Sequence, residues 1–411
     1  MVEKLFNTLI VVGQGYVGLP LAVNAAKSGY KVYGFDISSE KIQELKLGIT
    51  NSPEVTKIEL LNLQKQKKIE FTTTIPMLSE KSIIVIAVPT PLNVERKPDL
   101  HMLNSACKLI AGVLVDQSLV INESTSYIGT LRNLIKPTIE SLSLAKNISY
   151  AVAPERIDPG NTKWGMHNTP RIISGLDDLS TKQAVNFYSE FAGQIHTVSK
   201  PEVAEAAKLF ENTFRQVNIA LVNELSIVAN VMDFSTHETI EAAATKPFGF
   251  MPFFPSIGVG GHCIPVDPSY LAFSAENAGV EAKFINLANE VNSSMPAVVK
   301  GRIKSYLNGD LNGKRIQIAG ITYKPNISDL RESPALDLIK ELKIAGAVVS
   351  WHDPFVKVYE GQQSVALTSE VDLGLIVTPH SQIDFSIWKN ANIKVLDLSA
   401  NSSNYGWPKF L

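Results

Sequence analysis

The sequence predicts an α/β chain in which two doubly wound, Rossmann-like parallel sheets are joined by one long central helix. Three observations carry this. Short apolar runs alternate with helical patterns through the first third of the chain. The stretch 203–231 contains neither Gly nor Pro. The strand–helix alternation then restarts in the last quarter. Alternation of this kind requires parallel strands with crossover helices.

Taken in order, 8–12 is an apolar strand that ends in a glycine turn, and 19–28 is the helix that follows. Strands are expected at 31–35, 82–88 (SIIVIAV) and 118–122 (SLVIN). The segment 203–231 is rich in Ala, Leu, Glu and Asn and reads as one helix. It would span roughly 40 Å, and its apolar residues surround much of its circumference, so it is expected to pack on more than one side. In the last quarter, 314–319 is a strand ending in glycine. Ser333 and Pro334 read as N-cap and first helical residue of a helix at 335–345. Strands follow at 347–351, 373–377 and 394–397, and the closing polar segment 399–411 reads as a surface tail. The expected domains are 1–200, 201–300 and 301–411.

The chain has 411 residues, more than one ordinary core accommodates. Apolar residues make up 45% and charged residues 19%, with a net charge of -2. No basic run favours nucleic acid or an anionic membrane, and no apolar run is long enough for a span. Two cysteines, Cys107 and Cys263, lie far apart, which suits a reducing compartment. The N-terminal residues lack a signal-peptide layout, so a cytoplasmic location is expected.

Three motifs carry chemistry. Gly13-Gln14-Gly15-Tyr16-Val17-Gly18 follows a buried-type strand and opens a helix. Gly13 permits the tight turn, Gly15 lets a pyrophosphate approach the backbone, and Gly18 allows close helix–strand packing. The next strand ends at Asp36, whose carboxylate suits ribose hydroxyls and repels a 2′-phosphate. NAD is therefore the expected cofactor. The second motif is GVGGHCIPVDP at 258–268. Glycines there let backbone approach a ligand, and a thiol held in such a loop suits covalent capture of an aldehyde. The alternative is that Cys263 is a small apolar filler. A zinc site built on His262, Cys263 and Asp267 lacks a second ligand pair, so no metal is expected. Third, Lys208, Asn212 and Arg215 share one face of the long helix. They line an anionic-substrate pocket or form a solvated face. Cys107, in a helical stretch, reads as core.

These blocks, with VPTPLN (88–93), KLFENTFRQVNIALVNELS (208–226) and ITYKPNISDLRESPALDLI (321–339), resemble the UDP-glucose/UDP-mannose dehydrogenase family. The likeness is strongest to its UDP-N-acetylhexosamine branch. It runs in order through nearly the whole chain. The resemblance implies an NAD-dependent four-electron oxidation of the C6 hydroxymethyl of a UDP-sugar to a carboxylate, for cell-surface polysaccharide precursors. It implies that Cys263 is the nucleophile and Lys208 an acid/base and charge-stabilising group. Asn212 would stabilise an oxyanion, Asp267 would activate water, and Glu155 of APERIDPG would lie near the water or sugar. The cofactor site it implies comprises Gly13, Gly15, Tyr16, Val17, Gly18, Asp36, Lys41, Thr90 and Thr125. Arg331 would reach the cofactor of a neighbouring subunit in a homodimer built on the long helix. UDP-sugar contacts would come from Arg156, Ile157, Lys208, Asn212, Arg215, Phe254, Gly258, Tyr323 and Lys324.

Two departures bear on the sugar. UDP-glucose enzymes usually carry a glutamate where this chain has Pro159, and often a lysine where it has Val266. Both changes resemble the N-acetylhexosamine branch. NSSMP (292–296) and KPFGFMPFFP (246–255) look more like members acting on UDP-N-acetylglucosamine or galactosamine than on mannosamine. UDP-N-acetylglucosamine is the preferred expectation; UDP-N-acetylmannosamine and UDP-glucose are the alternatives. Ser256-Ile257 replaces a commoner Gly-Pro in the glycine-rich loop.

Overall fold

The structure is a computed structural model that describes residues 5–50, 52, 54–156, 163–261, 264–400 and 405–411. The chain divides into two compact units, 1–210 and 211–411.

Among the described residues, the first unit is built on eight strands. They are β1 (Thr8–Val12), β2 (Lys31–Phe35), β3 (Ile69–Thr72), β4 (Ile83–Ile86), β5 (Leu119–Asn122), β6 (Ser149–Val152), β7 (Arg171–Gly175) and β8 (Ile195–Thr197). Their order is β3-β2-β1-β4-β5-β6-β7-β8. All neighbours are parallel except β6 and β7. The helices are α1 (Gly18–Lys27), α2 (Ser39–Lys46), α3 (Lys57–Lys65), α4 (His101–Ala111), α5 (Lys136–Leu142) and α6 (Asp178–Tyr188). A π-helical turn, Leu131–Ile135, precedes α5. β4 is apolar throughout, and β1 is apolar after Thr8, because both sheet faces are covered. Leu9 and Val11 join one core while Ile10 and Val12 join the other, as the two-residue period of a strand requires. Cys107 is fully buried in the second of these, and burial pushes its thiol up to about 12. The order reverses between β1 and β4, the position where open α/β sheets bind ligands beyond their strand ends.

The central helix α7 runs from Pro201 to Met232, two residues earlier and one later than the Gly/Pro-free stretch. Pro is tolerated there because a first-turn N–H has no helical partner.

The second unit carries α8 (Thr236–Ala244), α9 (Asp267–Asn277) and α10 (Lys283–Tyr306). They lead into a second sheet of β9 (Arg315–Ala319), β10 (Val348–His352), β13 (Leu373–Ile376) and β14 (Val395–Asp397). A hairpin of β11 (Val358–Tyr359) and β12 (Gln362–Gln363) stands apart, and α11 (Pro334–Ile344) and α12 (Ser386–Asn390) complete the unit. The four-stranded order is β10-β9-β13-β14, all parallel.

Ser333 and Pro334 stand at the N-cap and first helical position of α11, as expected, while the C-terminal expectation needs correction. Ser333 has extended backbone ahead of α11 but makes no cap bond; its hydroxyl donates to the Ile321 carbonyl at 2.7 Å. The described end of the C-terminal segment, residues 405–411, is not a surface tail. Leu411 is buried, the Phe410 N–H donates to the Asp397 carbonyl, and Lys409 pairs with the Asp397 carboxylate at 2.9 Å. An unpaired edge of β14 beside a buried carboxylate draws the segment in.

Candidate active site

The cofactor cradle is built from the ends of β1, β2, β4 and β5. Gly13 has φ +98°, and a Cβ there would lie 2.4 Å from the Ala87 carbonyl oxygen. A Cβ on Gly18 would lie 1.9 Å from the Gly13 carbonyl oxygen. Neither position has room for any side chain. Gly15 is the opposite case: nothing lies within 4 Å of where its Cβ would be. Two glycines thus close the turn onto its neighbours, and the middle one leaves open space above the backbone. The Val17 N-cap makes no side-chain bond; the Leu19 N–H donates to the Gly15 carbonyl at 3.2 Å and Pro20 has no N–H, so within the first turn of α1 the Gly18 N–H is the one left for a phosphate. This arrangement fits a dinucleotide pyrophosphate.

Asp36 follows β2 and is buried. Its Oδ2 accepts from the Gln14 N–H at 3.0 Å and from Lys41 Nζ at 2.9 Å, and its Oδ1 accepts from the Ser38 N–H at 3.0 Å. The sequence expectations Asp36 and Lys41 are therefore brought together, with the carboxylate held at the strand end. Thr90 and Thr125 are both buried, beyond β4 and β5. The loop carrying Thr125 is pinned on two sides. Asn122 Nδ2 donates to the Ser124 carbonyl and to Ser126 Oγ, and the Glu205 carboxylate accepts from the Gly129 and Leu131 N–H groups. Glu205 so caps the π-helical turn from α7, three residues before Lys208. Burial pushes its carboxyl up to about 7 against these backbone bonds.

Lys208 is buried, and its side chain makes no hydrogen bond among the described residues. Glu155 lies three residues beyond β6, within a buried ionic cluster. Arg171 Nη2 donates to Glu155 Oε2 at 2.7 Å and Arg171 Nη1 to Glu123 Oε1 at 2.6 Å. The Tyr188 hydroxyl donates to the same Glu123 oxygen at 2.5 Å, and the Tyr188 ring lies 4.6 Å from the guanidinium carbon. The Arg156 N–H donates to Glu155 Oε1 at 2.7 Å, and the Arg156 side chain donates to the Pro170 carbonyl. Burial pushes Glu123 up to about 7. The Arg171 charge opposes this, the Glu155 carboxylate adds to it, and the Tyr188 bond and Lys208 charge oppose it. Burial alone would lower Arg171, and the two carboxylates reverse that.

In the second unit, Asn212 and Asp267 meet: Asn212 Nδ2 donates to Asp267 Oδ2 at 2.7 Å. Asp267 is fully buried at the start of α9. The glycines at 258–261 are explained by packing as well as by any ligand. A Cβ on Gly261, at φ +89°, would lie 2.7 Å from the Tyr323 ring, and one on Gly260 would lie 2.8 Å from Tyr323 Cβ. The Gly261 N–H donates to the Arg331 carbonyl at 3.1 Å. The loop ahead of Cys263 therefore lies on the segment carrying Tyr323, Lys324 and Arg331. Phe254 stacks on His237 at 5.3 Å. Arg215 is exposed on α7, and the Arg331 guanidinium is held by both Asp329 oxygens. Cys263 and Ile157 lie outside the described residues.

Glu123, Arg171, Tyr188 and Glu205 were not singled out from sequence. The available signal was a charge placed at the edge of an apolar strand, Glu123 directly after β5 and Arg171 opening β7. Among the described residues no group of His, Cys, Asp and Glu is arranged to hold a metal ion. None of their helices is long and apolar enough to cross a membrane.

Comparison with known proteins converges on the same chemistry. Residues 7–192 match the NAD binding domain of the UDP-glucose/GDP-mannose dehydrogenase family, 202–294 its central domain and 317–398 its UDP binding domain. The chain is 36% identical over 367 residues to a UDP-N-acetyl-D-glucosamine 6-dehydrogenase of Pseudomonas aeruginosa, covering 87% of this chain and 85% of that one. It is 36% identical over 347 residues to a UDP-N-acetyl-D-mannosamine dehydrogenase of Campylobacter jejuni, covering 82% and 84%. A UDP-D-ManNAc dehydrogenase structure from Pyrococcus horikoshii superposes with TM-score 0.87 at 32% identity, covering 97% of both chains. With a glycine turn that fits a pyrophosphate and all three family domains matched in order, the chain belongs to the UDP-glucose/GDP-mannose dehydrogenase family and is an NAD-dependent UDP-sugar dehydrogenase.

Proposed function

We propose that the enzyme oxidises the C6 hydroxymethyl group of a UDP-N-acetylhexosamine, UDP-N-acetylglucosamine in the first place, to the uronate. The balance is R–CH2OH + 2 NAD⁺ + H2O → R–COO⁻ + 2 NADH + 3 H⁺. The observation that carries this reading is the Asn212–Asp267 hydrogen bond. It joins the residue one turn after Lys208 to the residue four positions after Cys263, two separate blocks of the sequence.

NAD⁺, which the Gly13–Gly18 turn and Asp36 would hold, would supply the hydride acceptor for each of the two oxidation steps. The residues of the chain divide the remaining work. Lys208 takes the hydroxyl proton as the alcohol is oxidised, and its ammonium then stabilises negative charge on the oxygen. The Cys263 thiolate adds to the aldehyde, so that a thiohemiacetal holds the intermediate in place. Loss of the second hydride leaves a thioester. Asp267 accepts a proton from water as that water attacks the acyl carbon, and the C–S bond breaks to return the thiolate. Asn212 orients Asp267 through one amide hydrogen and has a second to offer the oxyanion. Glu155 and Arg156 hold the water or sugar near C6. Tyr323, Lys324, Arg215, Phe254, Gly258 and Ile157 are assigned to the UDP-sugar.

We assign residues 1–200 to NAD, 201–300 to the helical middle and 301–411 to UDP. We also propose a homodimer through the central helix. Phe210, Phe214, Leu221, Val228 and Val231 on α7 are exposed, a load of apolar surface that a monomer rarely carries. Arg331 would then serve the partner's cofactor. The product suits cell-surface polysaccharide precursors, made in the cytoplasm.

A panel of UDP-sugars with NADH absorbance as readout tests the substrate. Turnover of UDP-N-acetylglucosamine supports the assignment. The second reading, UDP-N-acetylmannosamine, is favoured by the likeness to the Pyrococcus horikoshii structure. Turnover of UDP-glucose alone refutes the N-acetylhexosamine assignment.

A further inference from the structure

We propose that Arg171 and Glu123 are positioning residues of the oxidation, forming a buried clamp that fixes the carboxylate of Glu155. The proposal rests on the reading that Glu155 acts at the sugar.

The geometry is that of one fork between two carboxylates. Arg171 opens β7 and sends Nη2 to Glu155 Oε2 and Nη1 to Glu123 Oε1. Nη1 also donates to the Ala153 carbonyl at 3.3 Å. Charge-assisted bonds to a planar fork define direction as well as distance. The other Glu155 oxygen accepts from the Arg156 N–H, so both oxygens are fixed and the carboxylate cannot turn freely. Arg171 is itself braced. Glu123 and Tyr188 hold it from one side, and the Tyr188 ring lies against it. Arg171, Glu123 and Tyr188 are 4%, 1% and 0% exposed, so water cannot substitute for a lost partner.

Glu123 also touches the reaction from a second direction. It follows β5 and stands two residues before Thr125 on the loop assigned to the cofactor. Among the described residues its Oε2 is buried without a hydrogen-bond partner, and the Lys208 charge acts on the carboxyl. A buried carboxyl with one fully bonded oxygen and one unbonded oxygen, within the field of a proposed acid/base lysine, is costly as pure scaffolding. A clamp that sets both the Glu155 direction and the field at Lys208 gives that cost a function.

The test uses full-length enzyme, NAD⁺ and UDP-N-acetylglucosamine or whichever UDP-sugar the panel selects. Glu123→Gln keeps the shape but removes the ionisable group; Arg171→Lys keeps the charge but removes the fork. Both are expected to lower kcat by about 10- to 100-fold, the cost of a misdirected group, with KM for the sugar changed little. The pH dependence of kcat is expected to lose its inflection near 7 in Glu123→Gln only. NAD affinity, followed by fluorescence titration, is expected to stay near wild type. If Glu123→Gln does not fold, Tyr188→Phe removes one bond to the same carboxyl and keeps the ring under Arg171. It should then lower kcat in the same direction. Glu155→Gln separates the two layers. If Glu155→Gln is itself fully active, the assignment of Glu155 fails and the clamp with it. If Glu155→Gln is impaired while Arg171→Lys and Glu123→Gln keep wild-type kcat and pH profile, the clamp alone is refuted.

Discussion

Replacing Asn212 by alanine should slow the enzyme without unfolding it. The side chain donates one hydrogen bond, 2.7 Å long, to a carboxylate that is fully buried. A bond to a charged group contributes about 1.5–3 kcal/mol. Each 1.36 kcal/mol is tenfold in rate, so loss of Asp267 orientation should reduce kcat by about 10- to 160-fold. KM for the sugar should change far less, because the effect falls on water activation and the oxyanion. The assay is NADH formation at saturating NAD⁺ and UDP-sugar, with thermal unfolding run in parallel. Asn212→Asp is the harsher companion, since it sets a second carboxylate against Asp267. A kcat for Asn212→Ala within twofold of wild type would refute the coupling of these two residues to the chemistry.

Other perturbations reach the cofactor turn, the buried carboxyls and the second unit. Gly13→Ala places a methyl 2.4 Å from the Ala87 oxygen at a positive φ; NAD binding should weaken at least about tenfold, and the melting temperature should fall by several degrees. Asp36→Ala leaves Lys41 free of its ion pair, so the preference for NAD over NADP measured by kcat/KM should narrow. Glu123 and Glu205 each have a folded pKa raised from 4.5 to about 7. Between those values the unfolded chain loses protons that the folded chain keeps, so stability should fall as pH rises from about 4.5 through 7. Glu123→Gln and Glu205→Gln should each flatten that slope in thermal unfolding. For Asp353, burial raises the carboxyl, but bonds from His380 and from the Ile321 and Phe355 N–H groups lower it overall. Its contribution is present above the usual carboxylate range and is lost as pH falls, so Asp353→Asn should be destabilising at neutral pH and less so in acid.

Much of the fold was legible because it rests on local pattern. The apolar runs of β1, β4, β5, β9 and β13 and the Gly/Pro-free α7 are each set by residues close in sequence. The glycine turn and Asp36 were legible for the same reason. What escaped depends on distant pairs. Arg171 meets Glu123 across 48 residues and Glu155 across 16, and no spacing rule predicts either contact. The glycines at 258–261 read as a ligand approach, yet Tyr323 supplies a packing reason that only tertiary contact reveals. Pro296 sits inside α10, where local rules set a stop; Met295, Val299 and Ile303 are fully buried in the core of the second unit and hold the helix through it. The C-terminal segment looked polar on average, while its last residue is buried.

The most direct test is the stoichiometry of NADH formed per UDP-N-acetylglucosamine consumed, taken to completion in wild type and Cys263→Ser. Wild type is expected to give two NADH and a uronate, and the variant near-total loss of the overall reaction with NAD binding retained. One NADH per sugar, or undiminished four-electron turnover in Cys263→Ser, would contradict the proposed mechanism.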